Sequence, residues 1–326
     1  MEEEELYSMK PFPCVSLIII SYKHADYIRD CMESILGQTY TDMEILYLDD
    51  CSGDGTYEVA LEYLEKLERK FSKVIFHKNE SNQGVVRNLN RLLKQCCGKY
   101  VKFLAADDFM LPNGIEDMVT FMEKFPDMDM LYSNGVMGNA TTHFPIGEVN
   151  EYPRLYEEEQ PSGTGLFPLL YENDFIAAPG VMIRQTVYEK LGAYDETMGI
   201  EDWEYFLRVA EQGQIGFLNK LTVCYRILDS SLSHSANPAR RMNMSKSELL
   251  ILEKYKDKIR DSYIRLSASL NEALCDAFHI DNAEYIDFLK EYAKRNGIKI
   301  SMRNRAKEVL YYMGIIRRIE KSLEDK

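Results

Sequence analysis

Glu44-Ile45-Leu46-Tyr47-Leu48-Asp49-Asp50 is an apolar run of strand length that closes on two adjacent acids. Tyr100-Val101-Lys102-Phe103-Leu104-Ala105-Ala106-Asp107-Asp108 repeats the pattern. In an open α/β sheet, carboxylates at strand ends lie on the rim where such folds bind ligands. Adjacent acids repel one another, so collecting them in one crevice points to a cation, and hence to a metal-bridged phosphate.

Working outward, Val15-Ser16-Leu17-Ile18-Ile19-Ile20-Ser21 is a continuous apolar, β-branched run, the pattern of a strand buried on both faces. The spacing of Ile28, Cys31, Met32 and Ile35 predicts a helix over 26–36. Strands are expected at 43–48, 74–76 and 100–104, with helices at 56–71 and 85–95 between them. Strands alternating with helices every 25–30 or so residues make βαβ units and a parallel, doubly wound sheet. The order 3-2-1-4 makes strands one and four neighbours at the switch point, where Ser21-Tyr22, Asp50 and Asp107-Asp108 would meet. Periodicity fades over 138–163, a long loop with a Glu157-Glu158-Glu159 run. Helices follow at 165–171, 186–191 and 202–212, and short strands at 216–218 and 223–225. The chain then turns almost wholly helical from 238. Three segments are thus expected: an acidic tail over 1–12, an α/β domain over 13–237 and a helical region over 238–326.

The net charge of −14 across 326 residues, without a basic patch in the first 300, argues against a nucleic-acid partner. Seven cysteines without a CxxC spacing argue against a disulfide framework or a zinc site and fit a reducing compartment. An acidic N-terminus and an apolar run of only Leu17-Ile18-Ile19-Ile20 suit neither a signal peptide nor a membrane span. The protein reads as cytoplasmic.

Asp50 ends a buried strand, which favours a ligand role, accepting from a base N–H or a ribose hydroxyl, over a plain N-cap of the next helix. Gly53-Asp54-Gly55 fails as a dinucleotide fingerprint because the third glycine position is Glu58, and Gly98-Lys99 is no Walker A loop. One of Asp107 and Asp108 can bind Mg²⁺ or Mn²⁺ while the other holds a sugar hydroxyl or a water ligand. Asp202 opens an amphipathic helix beside Glu201 and the chain's only tryptophan, Trp203. A carboxylate crowded by another acid and an apolar ring gains proton affinity, which suits a general base. The histidines at 24, 77, 143, 234 and 279 make no close metal spacing and read mostly as structural or exposed, with His234 the one candidate for a site role.

These residues resemble family 2 glycosyltransferases of the GT-A fold. The likeness runs through Val15 to Lys23, Ser34-Ile35-Leu36-Gly37-Gln38-Thr39-Tyr40 and Asp49 to Thr56. It continues in Asn82-Gln83-Gly84-Val85-Val86-Arg87-Asn88, Asp107-Asp108, and Leu191-Gly192-Ala193-Tyr194-Asp195 followed by Glu201-Asp202-Trp203 and Arg208. The resemblance implies a GT-A fold, Rossmann-like with a mostly parallel sheet, and a helical C-terminal appendage. It implies sugar transfer from a nucleotide-sugar donor, usually UDP-linked, to an acceptor hydroxyl on a glycan or a lipid-linked acceptor, with inversion, in bacterial surface polysaccharide or glycoconjugate assembly. Asp50 and Ser21 would bind the nucleotide, Tyr22 would lie against the base, Asp108 would ligate the metal with Asp107 beside it, and Asp202 would be the base. Arg87 belongs to the matched run, while Arg226 and His234 resemble a loop that closes over the diphosphate. The chain departs from the family at Ile20-Ser21-Tyr22-Lys23, and at Ala105 and Ala106, where an acid is common. The Gln-x-x-Arg-Trp motif of processive synthases is absent.

A sugar-nucleotide pyrophosphorylase would need a Gly-rich basic loop that this chain lacks, and a non-catalytic nucleotide-sugar-binding protein would not need Asp202 beside Asp108. The basic segment 301–326 is expected either to touch an anionic membrane surface, which would place the protein peripherally at the inner face of the cell membrane, or to pack on the domain or on a second copy in a homo-oligomer.

Overall fold

The computed structural model describes residues 13–228 and 237–312. Two compact units divide them, one of residues up to Glu196 with Glu201–Leu228, the other of Thr197–Ile200 with the chain beyond 228. In the first unit, eight strands form one sheet: β1 Val15–Ser21, β2 Met43–Asp49, β3 Lys73–Lys78, β4 Tyr100–Ala105, β5 Phe109–Met110, β6 Met130–Gly138, β7 Val181–Arg184 and β8 Ile215–Arg226. Their order is β3-β2-β1-β4-β7-β6-β8-β5. The four N-terminal strands are parallel, in the 3-2-1-4 order that the sequence predicts. Their carboxyl ends therefore share one rim, with Ser21 level with Asp49.

Helix α1, Ile28–Leu36, turns Ile28, Cys31, Met32 and Ile35 onto the sheet, where they join Leu17, Ile19, Ile45 and Tyr47 in the main core. Ile18, Leu46 and Leu48, which point the other way along the strands, are buried too. Burial on both faces is why these strands read as unbroken apolar runs. Each such side chain contributes about 1.5–3 kcal/mol.

The expected helix over 56–71 is two helices, α2 Thr56–Leu61 and α3 Leu64–Lys70. The segment expected as short strands near 216 and 223 is the single twelve-residue β8. Three strands have no counterpart in the sequence reading. β5 is only two residues, β7 runs antiparallel to β4 and β6, and β6 carries Ser133, Asn134 and Gly135 in its middle. Those polar groups are satisfied across the sheet: Ser133 Oγ lies 2.6 Å from Thr222 Oγ1, and Asn134 Nδ2 donates to Asn219 Oδ1 at 2.9 Å. The 138–163 loop is tied down by isolated bridges of Val136 to Arg154 and Gly163 to Ile215. Before it in the chain come α4 Val85–Leu93 and α5 Gly114–Lys124, and after it α6 Phe167–Glu172, α7 Gln185–Leu191 and α8 Glu201–Gln212.

The second unit is helical: α9 Pro238–Tyr255, α10 Ser262–Ile280, α11 Ala283–Arg295 and α12 Met302–Tyr312. Asn237 and Asn282 cap α9 and α11 by accepting from backbone amides of their first turns. Leu249, Leu252, Leu270, Leu274, Ile286 and Leu289 are buried there. No helix among the described residues is long and apolar enough to cross a membrane.

Candidate active site

Two rim loops carry non-glycine residues in the left-handed region, Lys23 (φ 59°) after β1 and Cys51 (φ 64°) after β2. Such conformations cost about 1–3 kcal/mol and persist where the surroundings over-determine them. Here the Lys23 amide donates to Ser52 Oγ at 2.8 Å, the His24 amide to Thr56 Oγ1 at 2.9 Å, and the Ala25 amide to Asp54 Oδ2 at 3.2 Å. The two loops thus form one rigid ledge.

Asp49 and Ser21 lie beneath it, both fully buried. Ser21 Oγ donates to Asp49 Oδ1 at 2.9 Å and lies 2.8 Å from Tyr47 Oη, while Asp49 Oδ2 accepts from the Ser52 amide at 2.8 Å. Ser21's hydroxyl is committed to this framework, so it shapes the ledge from inside instead of facing out. Tyr22, next in the chain, is 37% exposed with its ring at the rim.

Asp50 is not the N-cap of the following helix. Asp54 serves that turn, accepting from the Thr56 amide and hydroxyl. Asp50 Oδ1 accepts from the Gln83 amide and Asn79 Nδ2, and Oδ2 from the Gly84 amide, each at 2.8 Å. Burial pushes its carboxyl up, but the Gln83 and Gly84 amides and the Asn79 and Asn88 side chains outweigh that and hold it below the usual range. Asp50 therefore shapes the loop into α4. Gly84 adopts φ 83°, where a side chain would be strained. Beside this loop lies an open cavity of about 540 Å³ lined by Lys78, Asn79, Ser81, Gln83, Arg87 and Arg91 among others. Arg87 is exposed and pairs with Glu196 at 3.5 Å.

Asp107 and Asp108 sit in the tight turn between β4 and β5. Asp108 is 1% exposed, and its Oδ1 accepts from the Arg226 amide at 2.8 Å. Burial first, and then the Asp107 charge, push its carboxyl well above the ordinary range. Asp107 is the more open of the two, and His24 Nε2 lies 3.9 Å from its Oδ2. His24 Nδ1 is buried without a hydrogen-bond partner among the described residues. His24, set aside with the other histidines in the sequence, thus belongs at this site. The only signal was its position three residues past β1, since its partner lies 83 residues further on.

Arg226 corrects an expectation. It is fully buried, its guanidinium pairs with Asp30 and donates to the Thr142 and Asp107 carbonyls, and it stacks near Phe109. Its guanidinium is engaged within the protein, bracing the acidic turn from behind, where the sequence suggests a contact to the diphosphate. His234 lies outside the described residues.

On the far side of β4, Val101 and Phe103 line a narrow cavity with Leu89, Tyr188, Tyr194, Ala178, Val181, Phe206, Glu201 and Asp202. Crowding by protein atoms and the Asp202 charge push the Glu201 carboxyl up to about 8. Crowding likewise raises Asp202, although its Oδ1 accepts from the Trp203 amide at 2.8 Å. Asp174, in the loop after α6, feels the Asp202 charge as well and has no signature in the sequence. Trp203 is not a ligand group: its indole is buried and donates to the Leu170 carbonyl at 2.7 Å, locking α8 onto α6.

Carboxylates at the rim are the hard oxygen donors that Mg²⁺ and Mn²⁺ take. Asp107 and Asp108 are adjacent carboxylates with Asp107 the more open, and such an oxygen-donor pair fits one of these ions. Among the described residues, no group of three or more His, Cys, Asp or Glu side chains is arranged as a metal cage, and the remaining ligands would come from the substrate.

A family model described as glycosyl transferase family 2 matches residues 16–192. The putative teichuronic acid biosynthesis glycosyltransferase TuaG of Bacillus subtilis is 36% identical over 110 residues, 34% of this chain and 42% of that protein. The crystal structure of S. aureus TarS 1–349 in complex with UDP superposes with a TM-score of 0.58 at 19% identity, covering 94% of this chain and 91% of that one. The mannosyltransferase PcManGT from Pyrobaculum calidifontis, in complex with GDP-Man and Mn²⁺, gives 0.55 at 13% identity over 100% of this chain and 94% of that one.

Proposed function

The chain belongs to glycosyl transferase family 2, and from this we propose that it moves a sugar from a nucleotide-sugar, a UDP-sugar by preference, to an acceptor hydroxyl with inversion at the anomeric carbon. One observation carries the reading: a single cavity is lined both by β4, the strand that runs into Asp107-Asp108, and by Asp202. That arrangement sets a crowded carboxylate beside the strand whose end would hold the donor.

The residues take these roles. Tyr22 offers an open ring to the base, and the Asp50-braced loop offers Gln83 and Arg87 to the nucleoside and its phosphates. The ledge of residues 22–25 and 51–56 fixes the donor's entry, and Asp107 with His24 contacts its ribose or diphosphate. Asp108 and Asp107 would hold Mn²⁺ or Mg²⁺, which when bound neutralises charge on the departing diphosphate. Asp202 accepts the proton of the acceptor hydroxyl, whose oxygen bonds to the anomeric carbon as the bond to the diphosphate breaks on the opposite face. A base with raised proton affinity is matched to a hydroxyl near neutral pH. The likeness to TuaG supports a role in surface polysaccharide or glycoconjugate assembly. At α12, exposed Met302 and Val309 stand among Arg303 and Arg305, which supports contact with an anionic membrane carrying the acceptor. The part of that segment beyond Tyr312 lies outside the described residues. Co-sedimentation with anionic liposomes that survives deletion of 301–326 unchanged would exclude this contact.

The test of the whole is a panel of nucleotide-sugars against 4-nitrophenyl glycosides with and without Mn²⁺, scored by release of the nucleoside diphosphate. One donor should give metal-stimulated release, and Asp202→Asn should abolish transfer while UDP still binds. Transfer by that variant would remove Asp202 as the base.

A further inference from the structure

Lys102 stands in the middle of β4 with none of its surface exposed. By strand alternation it shares a face with Tyr100 and Leu104, both members of the main apolar core. Placing an ammonium in such surroundings is costly unless it is well bonded. Its Nζ donates to two main-chain carbonyls, Phe103 at 2.6 Å and Pro179 at 2.5 Å. Burial pulls its pKa down to about 7, against the attraction of the Asp108 charge, and the amine keeps both donor bonds whether or not it carries its third proton.

Pro179 is the middle of the 3₁₀ turn Ala178–Gly180 that leads into β7. The turn is clamped from a second side. The Gly180 carbonyl accepts from Ser133 Oγ at 3.0 Å, and a Cβ on Gly180 would stand 2.6 Å from the Ser133 carbonyl oxygen. Ala178 and Val181, at either end of this turn, form part of the wall of the cavity that holds Glu201 and Asp202. One buried lysine thus ties the strand that ends in the acidic turn to a turn whose ends line the same cavity as Glu201 and Asp202. Leucine or methionine would fill the same core volume, so packing alone does not account for a lysine here.

We infer that Lys102 is a positioning residue for the acceptor half of the reaction: it pins the 178–180 turn to β4 and so fixes the wall of the cavity that Glu201 and Asp202 also line. This rests on the reading of Asp202 as the base, and the experiment separates the two. Lys102→Met keeps the bulk and removes the donors. Its read-outs are amide exchange over residues 177–183, UDP affinity by calorimetry, and the KM values for donor and for a 4-nitrophenyl glycoside. Expected are faster exchange confined to 177–183 and a glycoside KM raised about tenfold or more, with donor KM and UDP affinity within about twofold. Gly180→Ala displaces the same turn without touching Lys102, and it should show the same KM split even if Lys102→Met fails to fold. Unchanged exchange over 177–183 in Lys102→Met, or a donor KM that rises as much as the glycoside KM in either variant, overturns the inference. Where Asp202→Asn is inactive and these variants leave the glycoside KM unmoved, the positioning role alone fails. Where Asp202→Asn still transfers sugar, the base assignment itself has failed.

Discussion

Asp50, just past β2, and Asp202, in the first turn of α8, are both crowded carboxylates, yet their environments push them in opposite directions. Asp50 meets two backbone amides and an asparagine, and its charge is held in place. Asp202 meets one backbone amide, apolar walls and a neighbouring acid, and its charge is disfavoured. Under the proposed mechanism the difference separates an anchor from a proton acceptor: a group that stays ionised is surrounded by donors, and one that takes a proton is starved of them.

Breaking the acceptor side should cost most. Asp202→Asn removes the base and is expected to lower transfer by about 10²–10⁴-fold with UDP affinity nearly unchanged, measured by diphosphate release and calorimetry. Asp108→Asn, or chelation of the divalent ion, should abolish metal-stimulated release and weaken UDP binding in the presence of Mn²⁺. It should not unfold the chain, because neutralising Asp108 relieves its repulsion from Asp107. Asp50→Ala is expected to act on the fold as well as on the nucleotide. It strands the Gln83 and Gly84 amides, so urea melts should show a loss of about 1–3 kcal/mol, alongside weaker UDP binding.

The comparison also has a pH signature. Glu201 titrates near 4.5 when unfolded and is held up to about 8 in the fold. A raised carboxyl stabilises the folded state fully below the unfolded value, and that contribution is lost as pH climbs towards about 8. Glu201→Gln should therefore flatten the decline of melting temperature between about pH 5 and 8. The acidic limb of the transfer profile should stay in place, because below about 8 Glu201 is already protonated and does not repel Asp202. The smallest effect on transfer is expected from Trp203→Phe, which leaves the buried Leu170 carbonyl without its donor and should cost about 1–3 kcal/mol of stability with little change in KM.

Much of the donor half was legible in the sequence because its strands are parallel and buried on both faces. Val15–Ser21 and Met43–Asp49 advertise themselves as apolar runs, and the acids at their ends mark the rim. β6 was not legible, because Ser133, Asn134 and Gly135 look like a turn until Thr222 and Asn219 arrive from β8 to satisfy them. The break between α2 and α3 leaves no glycine or proline to announce it. Within the site, Asp50, Asp107, Asp108, Glu201 and Asp202 could be named in advance from their place at element ends. What those acids bond to could not, since the partners of Asp50 lie 29–34 residues away and those of Asp108 118 residues away. For the same reason Arg226 reads as a phosphate ligand in sequence and proves to be a brace in the fold, while His24 reads as incidental and stands against Asp107.

The central claim is that the acidic turn after β4 grips a nucleotide's diphosphate through a divalent ion. A crystal structure of the chain with UDP and Mn²⁺ tests it most directly. The account predicts the ion bound by Asp108, with Asp107 beside it, and the base of UDP against Tyr22 near the 79–87 loop. UDP bound elsewhere, or manganese ignoring both aspartates while the nucleotide is in place, would contradict it.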